Sequence, residues 1–375
     1  MLLIPGPVSC TDLVIDTLGQ DSLTHTGPRF AETFKRVLLN LRKIFNSSKE
    51  SGSLPLVLAG SGTLGFDLVG SNLCPTGKEK LLLLSTGYFS EELCECLREF
   101  YKLDVTVLSS KQVGGGIDIV VLQEMLQETK YDLVLMTHVD TSTGVLNDVE
   151  KLSGLVHSHS PESLIVVDAV CSLGCESIEF DKWGLDFVFS ASQKALGAPP
   201  GLSISIISER ALRLVLKERN DVDAPPRPYF TSLRKWVPSI QSYELGGKVH
   251  YFATPPIQLI LSLDVALKEL LETDYVTNHL SRSNWLKMQV VEEMKLRLVT
   301  LGPVEKTAHG LAAIYVSNPS EVMKRLQGID IDIAGGIHPA IRTKYIRIGL
   351  MGRDATKENL LKVLEVVQEV ESESY

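Results

Sequence analysis

Residues 187–207 read FVFSASQKALGAPPGLSISII, with two short apolar runs on either side of a turn that is rich in glycine, proline and small side chains. Short apolar runs bounded by turn residues are typical of buried β-strands. Seven such runs occur with helical or turn-like stretches between them, namely Leu56–Ala59, Leu81–Ser85, Val105–Leu108, Leu133–His138, Leu164–Asp168, Phe187–Ser190 and Ser203–Ile207. This alternation predicts an α/β fold with a mostly parallel sheet, whose functional residues lie at the carboxyl ends of the strands.

The pattern changes after Thr254-Pro255-Pro256. Two helical patterns follow, the first to about Leu271 and the second over His279–Leu298. After them come two strand-like runs, Gly310–Val316 and Lys344–Leu350, and a closing helix, Lys357–Val370. These elements predict a second, smaller α+β domain. Before them, the charged and proline-rich segment Lys217–Pro228 is predicted to be an exposed excursion.

The composition is that of an ordinary globular protein, with 375 residues, 44% hydrophobic and 22% charged. A formal charge of -9 argues against nucleic acid as a partner. No apolar run approaches the roughly 20 residues of a membrane helix, so no membrane partner is expected. No Lys or Arg precedes Arg29, so no leader sequence is expected, and the final Glu-Ser-Glu-Ser-Tyr is not a peroxisomal tripeptide. A cytoplasmic location is therefore expected. The six cysteines are predicted to be free thiols, with no metal site.

The turn in the quoted stretch places Lys194 directly after an apolar strand. A lysine that is partly desolvated there and faces a cationic ring could act as an amine nucleophile. The alternative is a solvated turn residue. The preceding strand ends in Asp168, which on its own could cap the next helix. Paired with Lys194, it suggests an ionised acid that keeps a pyridine nitrogen protonated.

The stretch Gly60-Ser61-Gly62-Thr63-Leu64-Gly65 matches the G-x-G-x-x-G dinucleotide pattern. That pattern also requires an acidic residue after the next strand, where this chain has Ser85-Thr86-Gly87, so a dehydrogenase is disfavoured. A loop of this composition still suits a phosphate, because glycine allows close backbone approach. A plain helix cap is the alternative.

Two further motifs suggest polar recognition. Thr137–Gly144 is a hydroxyl-rich stretch suited to a phenolic oxygen or a carboxylate, although hydroxyl-rich turns are common. Arg347 lies inside the apolar run Tyr345–Gly349 and needs a partner there. An incoming carboxylate held bidentately would provide one, and a structural salt bridge is the alternative.

Together with Tyr251-Phe252-Ala253-Thr254-Pro255, the opening Leu2–Pro7 and His25–Phe30, these motifs resemble the class V, fold type I pyridoxal-phosphate enzymes. The likeness is to the alanine–glyoxylate and serine–pyruvate aminotransferase branch, and most closely to its fungal-type members, over almost the full chain. It implies an N-terminal arm (1–21), a large cofactor-binding domain with a mostly parallel seven-stranded sheet (22–273) and a small C-terminal domain (274–375). It also implies a homodimer with active sites at the interface.

The resemblance assigns the site residues. It implies that Lys194 holds pyridoxal 5'-phosphate as a Schiff base, that Asp168 meets the pyridine nitrogen and that Arg347 and Gly6 bind the substrate. The other residues that it assigns to the cofactor are Ser61, Gly62, Thr63, Phe89, Thr141, Val170 and Gln193, with Tyr251 and Thr254 reaching the phosphate of the neighbouring subunit. Two positions depart from the family. The usual stacking tryptophan is replaced in Tyr88-Phe89, where the alignment favours Phe89, and Thr63 stands where many relatives have histidine.

The resemblance implies ping-pong transamination through a Lys194 aldimine, from alanine or serine to glyoxylate, giving glycine and pyruvate or hydroxypyruvate. Small amino acids and 2-oxo acids are the expected substrates, because no second cation for a dicarboxylate is assigned. The alternatives are another class V aminotransferase, such as a phosphoserine-type enzyme, or a catalytically silent scaffold protein. A cysteine desulfurase is disfavoured because no cysteine follows Cys175.

Overall fold

The computed structural model of the chain describes residues 1–217 and 228–373. The predicted exposed excursion at Lys217–Pro228 therefore lies, apart from its two end residues, outside the described residues. None of the described helices is long and apolar enough to cross a membrane.

The strands account for the fold class. In chain order the described residues contain β1 (Leu54–Ala59), β2 (Lys80–Ser85), β3 (Asp104–Ser109), β4 (Leu133–Thr137), β5 (Val139–Asp140), β6 (Val145–Leu146), β7 (Leu164–Asp168), β8 (Phe187–Ala191), β9 (Leu202–Ile207), β10 (Leu311–Tyr315), β11 (Ala334–Gly335) and β12 (Tyr345–Gly349). Seven of them form the main sheet in the order β1-β9-β8-β7-β4-β2-β3. Strand β9 is antiparallel to both of its neighbours and the other pairs are parallel. The predicted α/β fold with a mostly parallel seven-stranded sheet is confirmed, and each of the seven strand runs predicted before Thr254 belongs to this sheet.

Helices cover the sheet and complete the C-terminal region. They are α1 (Asp12–Asp16), α2 (Pro28–Phe45), α3 (Leu64–Leu68), α4 (Tyr88–Glu95), α5 (Ile119–Glu128), α6 (Val149–His159), α7 (Glu209–Leu216), α8 (Leu233–Leu245), α9 (Ile257–Leu271), α10 (Tyr275–Met288), α11 (Pro319–Gln327) and α12 (Lys357–Glu373). The described residues also contain three π-helical turns, at Val69–Leu73, Cys96–Phe100 and Gln289–Glu293, and two 3-10 turns, at Thr17–Gly19 and Val304–Lys306.

The helix predicted to end at Leu298 ends earlier. Helix α10 passes into its π-helical turn and Lys295 then adopts a positive φ of 56°, which stops the helix. The apolar pattern continued beyond this point because Leu296 and Leu298 still pack against the same core in an extended stretch. The prediction was therefore wrong about the conformation, although it was right about the burial.

Two separate hydrophobic cores underlie the two regions. The larger core includes the main-sheet strands and the buried face of α2, which has apolar residues at helical spacing. The smaller core joins α10, α11 and α12 to the sheet of β10, β12 and β11. Leu3 is fully buried in this smaller core, and the Gly349 amide donates to the Leu3 carbonyl at 2.6 Å. The beginning of the chain is thus held beside β12.

Candidate active site

Two predicted site residues meet at one edge of the main sheet. Strands β7 and β8 are parallel, with Asp168 opposite Phe189, so the end of β7 and the turn after β8 lie at the same edge. Asp168 and Lys194 line one cavity of about 580 Å³, part of it open to solvent. Its lining residues are Ser61, Gly62, Thr63, Phe66, Phe89, Val139, Thr141, Asp168, Val170, Cys171, Gln193 and Lys194. A concave site with an apolar lining and a few polar groups that converge on it suits a small organic ligand.

Asp168 is a buried acid. The Val170 amide donates to its Oδ1 at 2.9 Å. Burial raises the pKa of Asp168 from 3.8 to about 7, and the negative field of Asp140 adds to the rise, while the Val170 hydrogen bond and the Lys194 charge oppose it. A cation placed against this carboxyl would favour its ionised form, and a protonated pyridine nitrogen is such a cation.

Lys194 lies under the beginning of the chain. Its Nζ donates to the Pro5 carbonyl, and the Val8 amide donates to the Gln193 carbonyl at 3.0 Å. Gly6 lies between these contacts with a φ of +102°, and a Cβ on it would stand 2.8 Å from Lys194 Nζ. Only glycine fits this position without displacing the lysine side chain.

We expect Gly6→Ala to lower kcat/KM for the amino donor by about 10-fold or more, because the new methyl group displaces Lys194 and a misplacement of about 1 Å can cost on the order of 10²-fold in rate. Steady-state kinetics measure the effect. Gly19→Ala is the matched control, since its Cβ would meet nothing within 4 Å. Equal activities for the two variants would contradict the close approach of Gly6 to Lys194.

The loop after β1 has the features of an anion cradle. Ser61, Gly62 and Thr63 all line the cavity, and a Cβ on Gly62 would stand 2.7 Å from Val170 Cγ2. The Thr63 side chain makes no capping hydrogen bond to α3, so the plain helix cap is not observed. In the lining of the same cavity, Gln193 Oε1 is buried without a hydrogen-bond partner among the described residues. A buried amide without a partner suits a polar ligand in this space.

The hydroxyl-rich stretch forms a tight hairpin after β4, and sequence reasoning missed the residue that holds it. Asp140 is fully buried, and its Oδ1 accepts from the Ser142 amide at 2.8 Å and from the Ser142 hydroxyl at 2.5 Å. The Tyr88 amide donates to Ser142 Oγ at 3.0 Å, which ties the hairpin to the start of α4. Thr141 and Phe89 line the cavity, whereas Tyr88 does not. Asp140 could have been noticed as the one acid within that motif.

Three apolar or weakly polar residues of the cavity were also missed. They are Phe66, Val139 and Cys171. Cys171 follows the Asp168 motif directly, and burial raises the pKa of its thiol to about 11. None of the six cysteines forms a disulfide bond, as predicted. The described residues contain no group of three or more His, Cys, Asp or Glu side chains that could hold a metal ion.

Arg347 lies next to the cavity and not in its lining. The guanidinium is buried on β12, where Nε donates to the Gly335 carbonyl at 2.8 Å and Nη1 to the Thr141 carbonyl at 3.4 Å. No carboxylate lies within 4.0 Å of it among the described residues, so the structural salt bridge is not observed there. Burial lowers the pKa of Arg347. A buried guanidinium with only neutral partners is suited to an incoming anion.

Tyr251 and Thr254 are not brought together with Lys194 in the single chain. Both are exposed, Tyr251 by 57%, and neither lines the cavity. Their hydroxyl oxygens lie 3.4 Å apart. Their predicted role toward a neighbouring subunit stays a prediction.

The cavity fits the pyridoxal phosphate that the sequence resemblance implies. It combines a buried acid, an amine, an aromatic ring and a glycine loop that a Cβ on Gly62 would fill. The Gln193 side-chain amide adds an oxygen that is buried without a partner among the described residues, and N–H groups that can donate to a phosphate. An acid and an amine in the lining of one cavity suit the ring nitrogen and the aldehyde of a pyridine aldehyde.

Comparison with known proteins agrees with this fit. Residues 17–363 match the family model described as aminotransferase class-V. The chain is 46% identical to alanine–glyoxylate aminotransferase 1 of Saccharomyces cerevisiae, over 96% of this chain and 94% of that protein. Among solved structures, alanine–glyoxylate aminotransferase of Nostoc sp. superposes with a TM-score of 0.87 at 24% identity, covering 98% of this chain and 94% of that one. An aspartate aminotransferase of Thermus thermophilus superposes with a TM-score of 0.83 at 28% identity, covering 99% of each chain.

Proposed function

Because the chain belongs to the class-V aminotransferases, a family that depends on pyridoxal phosphate, we propose that it transfers the amino group of alanine to glyoxylate, giving pyruvate and glycine. The observation that carries the proposal is the shared cavity of Lys194 and Asp168, with Arg347 beside it. The high identity to the yeast relative over almost its whole length supports the choice of substrates. Serine is the second donor that we propose, with hydroxypyruvate as its product.

The proposed cofactor contacts follow from the cavity. Ser61, Gly62, Thr63 and Gln193 would hold the phosphate, Thr141 the phenolic oxygen, and Phe89 and Val170 the faces of the ring. When bound, the cofactor supplies a protonated ring that accepts the electrons released from the donor's α-carbon. Asp168 keeps the ring nitrogen protonated, because its carboxylate lies in a buried site where an opposite charge is strongly favoured.

Lys194 and Arg347 act on the substrate in this proposal. Arg347 binds the α-carboxylate of the donor, and later that of glyoxylate, with two parallel hydrogen bonds. Lys194 Nζ would take the proton from the donor's α-carbon and deliver it to the adjoining carbon of the cofactor, as a general base and then an acid, and would move a proton in the opposite direction when glyoxylate reacts. Gly6 and Pro5 lie across Lys194 and limit the access of water to it.

The charge of the cavity supports a small neutral donor. Among the described residues that line the cavity, Lys194 is the one with a cationic side chain. A dicarboxylic donor would carry a second carboxylate into a space with no further cation for it, at a cost in desolvation. Alanine and serine carry no such group.

Purified protein tests the proposal through the visible absorbance of the bound cofactor. We expect alanine to abolish this absorbance and glyoxylate to restore it, with one pyruvate and one glycine formed per cycle. Aspartate is the matched control, because it has the same backbone groups and one additional carboxylate. A protein that binds no pyridoxal phosphate would be a scaffold, and one that responds to aspartate and not to alanine would have another donor.

Family members are typically dimers that act on amino and 2-oxo acids, and we propose that this chain is a homodimer with active sites at the interface. The exposure of Tyr251 and Thr254 supports their contact with the phosphate of the neighbouring subunit. Light scattering would give twice the mass of one chain.

We also propose the division of the chain into an N-terminal arm (1–21), a large domain (22–273) and a small domain (274–375), which the two separate cores support. The proposed cytoplasmic location is tested by imaging a fluorescent fusion.

A further inference from the structure

Tyr345 and Arg347 form two parallel links between the same two segments of the chain. They stand two residues apart on β12, so their side chains leave the same face of the strand. The Tyr345 hydroxyl donates to the Ser142 carbonyl at 2.6 Å and accepts from the amides of Ile337 and His338 at 3.0 and 3.1 Å. Tyr345 therefore ties the hairpin after β4 to residues 335–338.

Arg347 spans the same gap one step along the strand. It donates to the Thr141 carbonyl on the hairpin and to the Gly335 carbonyl on the other side. Both of these contacts use neutral carbonyl groups, and Nη2 has no partner among the described residues. The direction in which the guanidinium presents its remaining N–H groups thus depends on the separation of the two segments.

The environment of Tyr345 makes this separation well defined. The side chain is fully buried, and a Cβ on Gly336 would collide with its ring. Its hydroxyl serves the buried Ser142 carbonyl and the amides of the half-buried Ile337 and His338, so the hydroxyl contributes more than its packing volume. Thr141, on the hairpin that it fixes, lines the cavity.

We propose that Tyr345 is a positioning residue for the carboxylate site, whose hydroxyl fixes the two segments that direct Arg347 toward the bound substrate. This inference rests on the proposed function, in which Arg347 binds the α-carboxylate. Recognition of a carboxylate by two parallel hydrogen bonds tolerates little displacement, so a small shift of either segment weakens substrate binding. Tyr345 does not itself touch the substrate in this proposal.

The test is Tyr345→Phe, which removes the hydroxyl and keeps the ring. We follow the first half of the reaction with alanine by stopped flow, through the visible absorbance of the cofactor. The alanine concentration for half-maximal rate should rise about 10-fold, as expected for the loss of one buried hydroxyl that serves three backbone groups, while the limiting rate changes less than about 2-fold. The dissociation constant of pyridoxal phosphate, titrated into the cofactor-free protein, should rise much less than the alanine concentration does.

Tyr315→Phe is the matched control. Tyr315 pairs with Tyr345 across β10 and β12 with ring centroids 6.4 Å apart, and its hydroxyl makes no hydrogen bond within the described chain. This variant should behave as the unmodified protein does. Incorporation of 4-aminophenylalanine at position 345 restores the donor to the Ser142 carbonyl but accepts weakly from the two amides, so it should recover only part of the alanine affinity. This partial loss tests the inference if Tyr345→Phe fails to fold.

Two outcomes separate the inference from the proposed function. If Arg347→Lys raises the alanine concentration for half-maximal rate but Tyr345→Phe does not, Tyr345 has no positioning role and the inference is overturned. If Arg347→Lys leaves this concentration unchanged, the proposed carboxylate site is wrong. A loss of cofactor affinity in Tyr345→Phe equal to its loss of alanine affinity would show a general structural role and would also overturn the inference.

Discussion

Lys194→Arg is expected to lower kcat/KM for alanine by at least about 10⁴-fold, the upper end of what a positioned acid or base contributes. Arginine keeps a positive charge beside Asp168, so cavity electrostatics change little. Its guanidinium stays protonated at neutral pH, and it therefore neither accepts the proton from the α-carbon nor forms a covalent bond to an aldehyde. Steady-state kinetics and the visible spectrum measure the two losses.

Covalent attachment gives this prediction a second readout. Borohydride treatment of the unmodified protein should fix the cofactor to the chain and raise its mass, and peptide mapping should place it at Lys194. The Lys194→Arg protein should gain no mass. Lys182→Arg, at an exposed lysine paired with Glu150, is the control and should behave as the unmodified protein does. Attachment at another lysine would contradict the proposed role of Lys194.

Asp168→Asn is expected to lower kcat/KM by roughly 10²–10³-fold, as for the removal of one preorganised electrostatic group from a buried site. The amide has nearly the same shape as the acid and cannot hold a proton on the ring nitrogen through an opposite charge. Asp168→Glu keeps the charge and should retain more activity than the amide variant. Equal activities of the amide variant and the unmodified protein would exclude an electrostatic role for Asp168.

The pKa of Asp168 adds a test that does not depend on activity. Burial raises this pKa from 3.8 to about 7 in the cofactor-free protein. Between these values the folded chain binds more protons than the unfolded chain, so the contribution of Asp168 to stability is full below about pH 4 and is lost as the pH rises to about 7. Urea unfolding of the cofactor-free protein should show that the free energy of unfolding falls between pH 5 and pH 8. This fall should be smaller in Asp168→Asn than in the unmodified protein by about 3 kcal/mol. The same pH dependence in both proteins would show that Asp168 is not the titrating group.

Much of the fold could be predicted from the sequence because its signals are local. Buried strands of a parallel sheet appear as short apolar runs, and all seven runs became strands of the main sheet. Asp168 and Lys194 follow neighbouring strands, and parallel strands end at one edge, so their meeting in one cavity followed from the strand pattern. The choice of Phe89 over Tyr88 also agrees with the lining of the cavity.

The contacts that complete the site could not be predicted in this way. The Pro5 carbonyl meets Lys194 across 189 positions of the chain, and Tyr345 meets Ser142 across 203. Nothing in the local pattern predicts these pairs, because they depend on how the smaller core packs against the main sheet. The sequence by itself determined the strands, the acid and the amine, through periodicity and turn residues. The tertiary structure alone decided which backbone groups surround them, because those groups belong to segments that only long-range packing brings together.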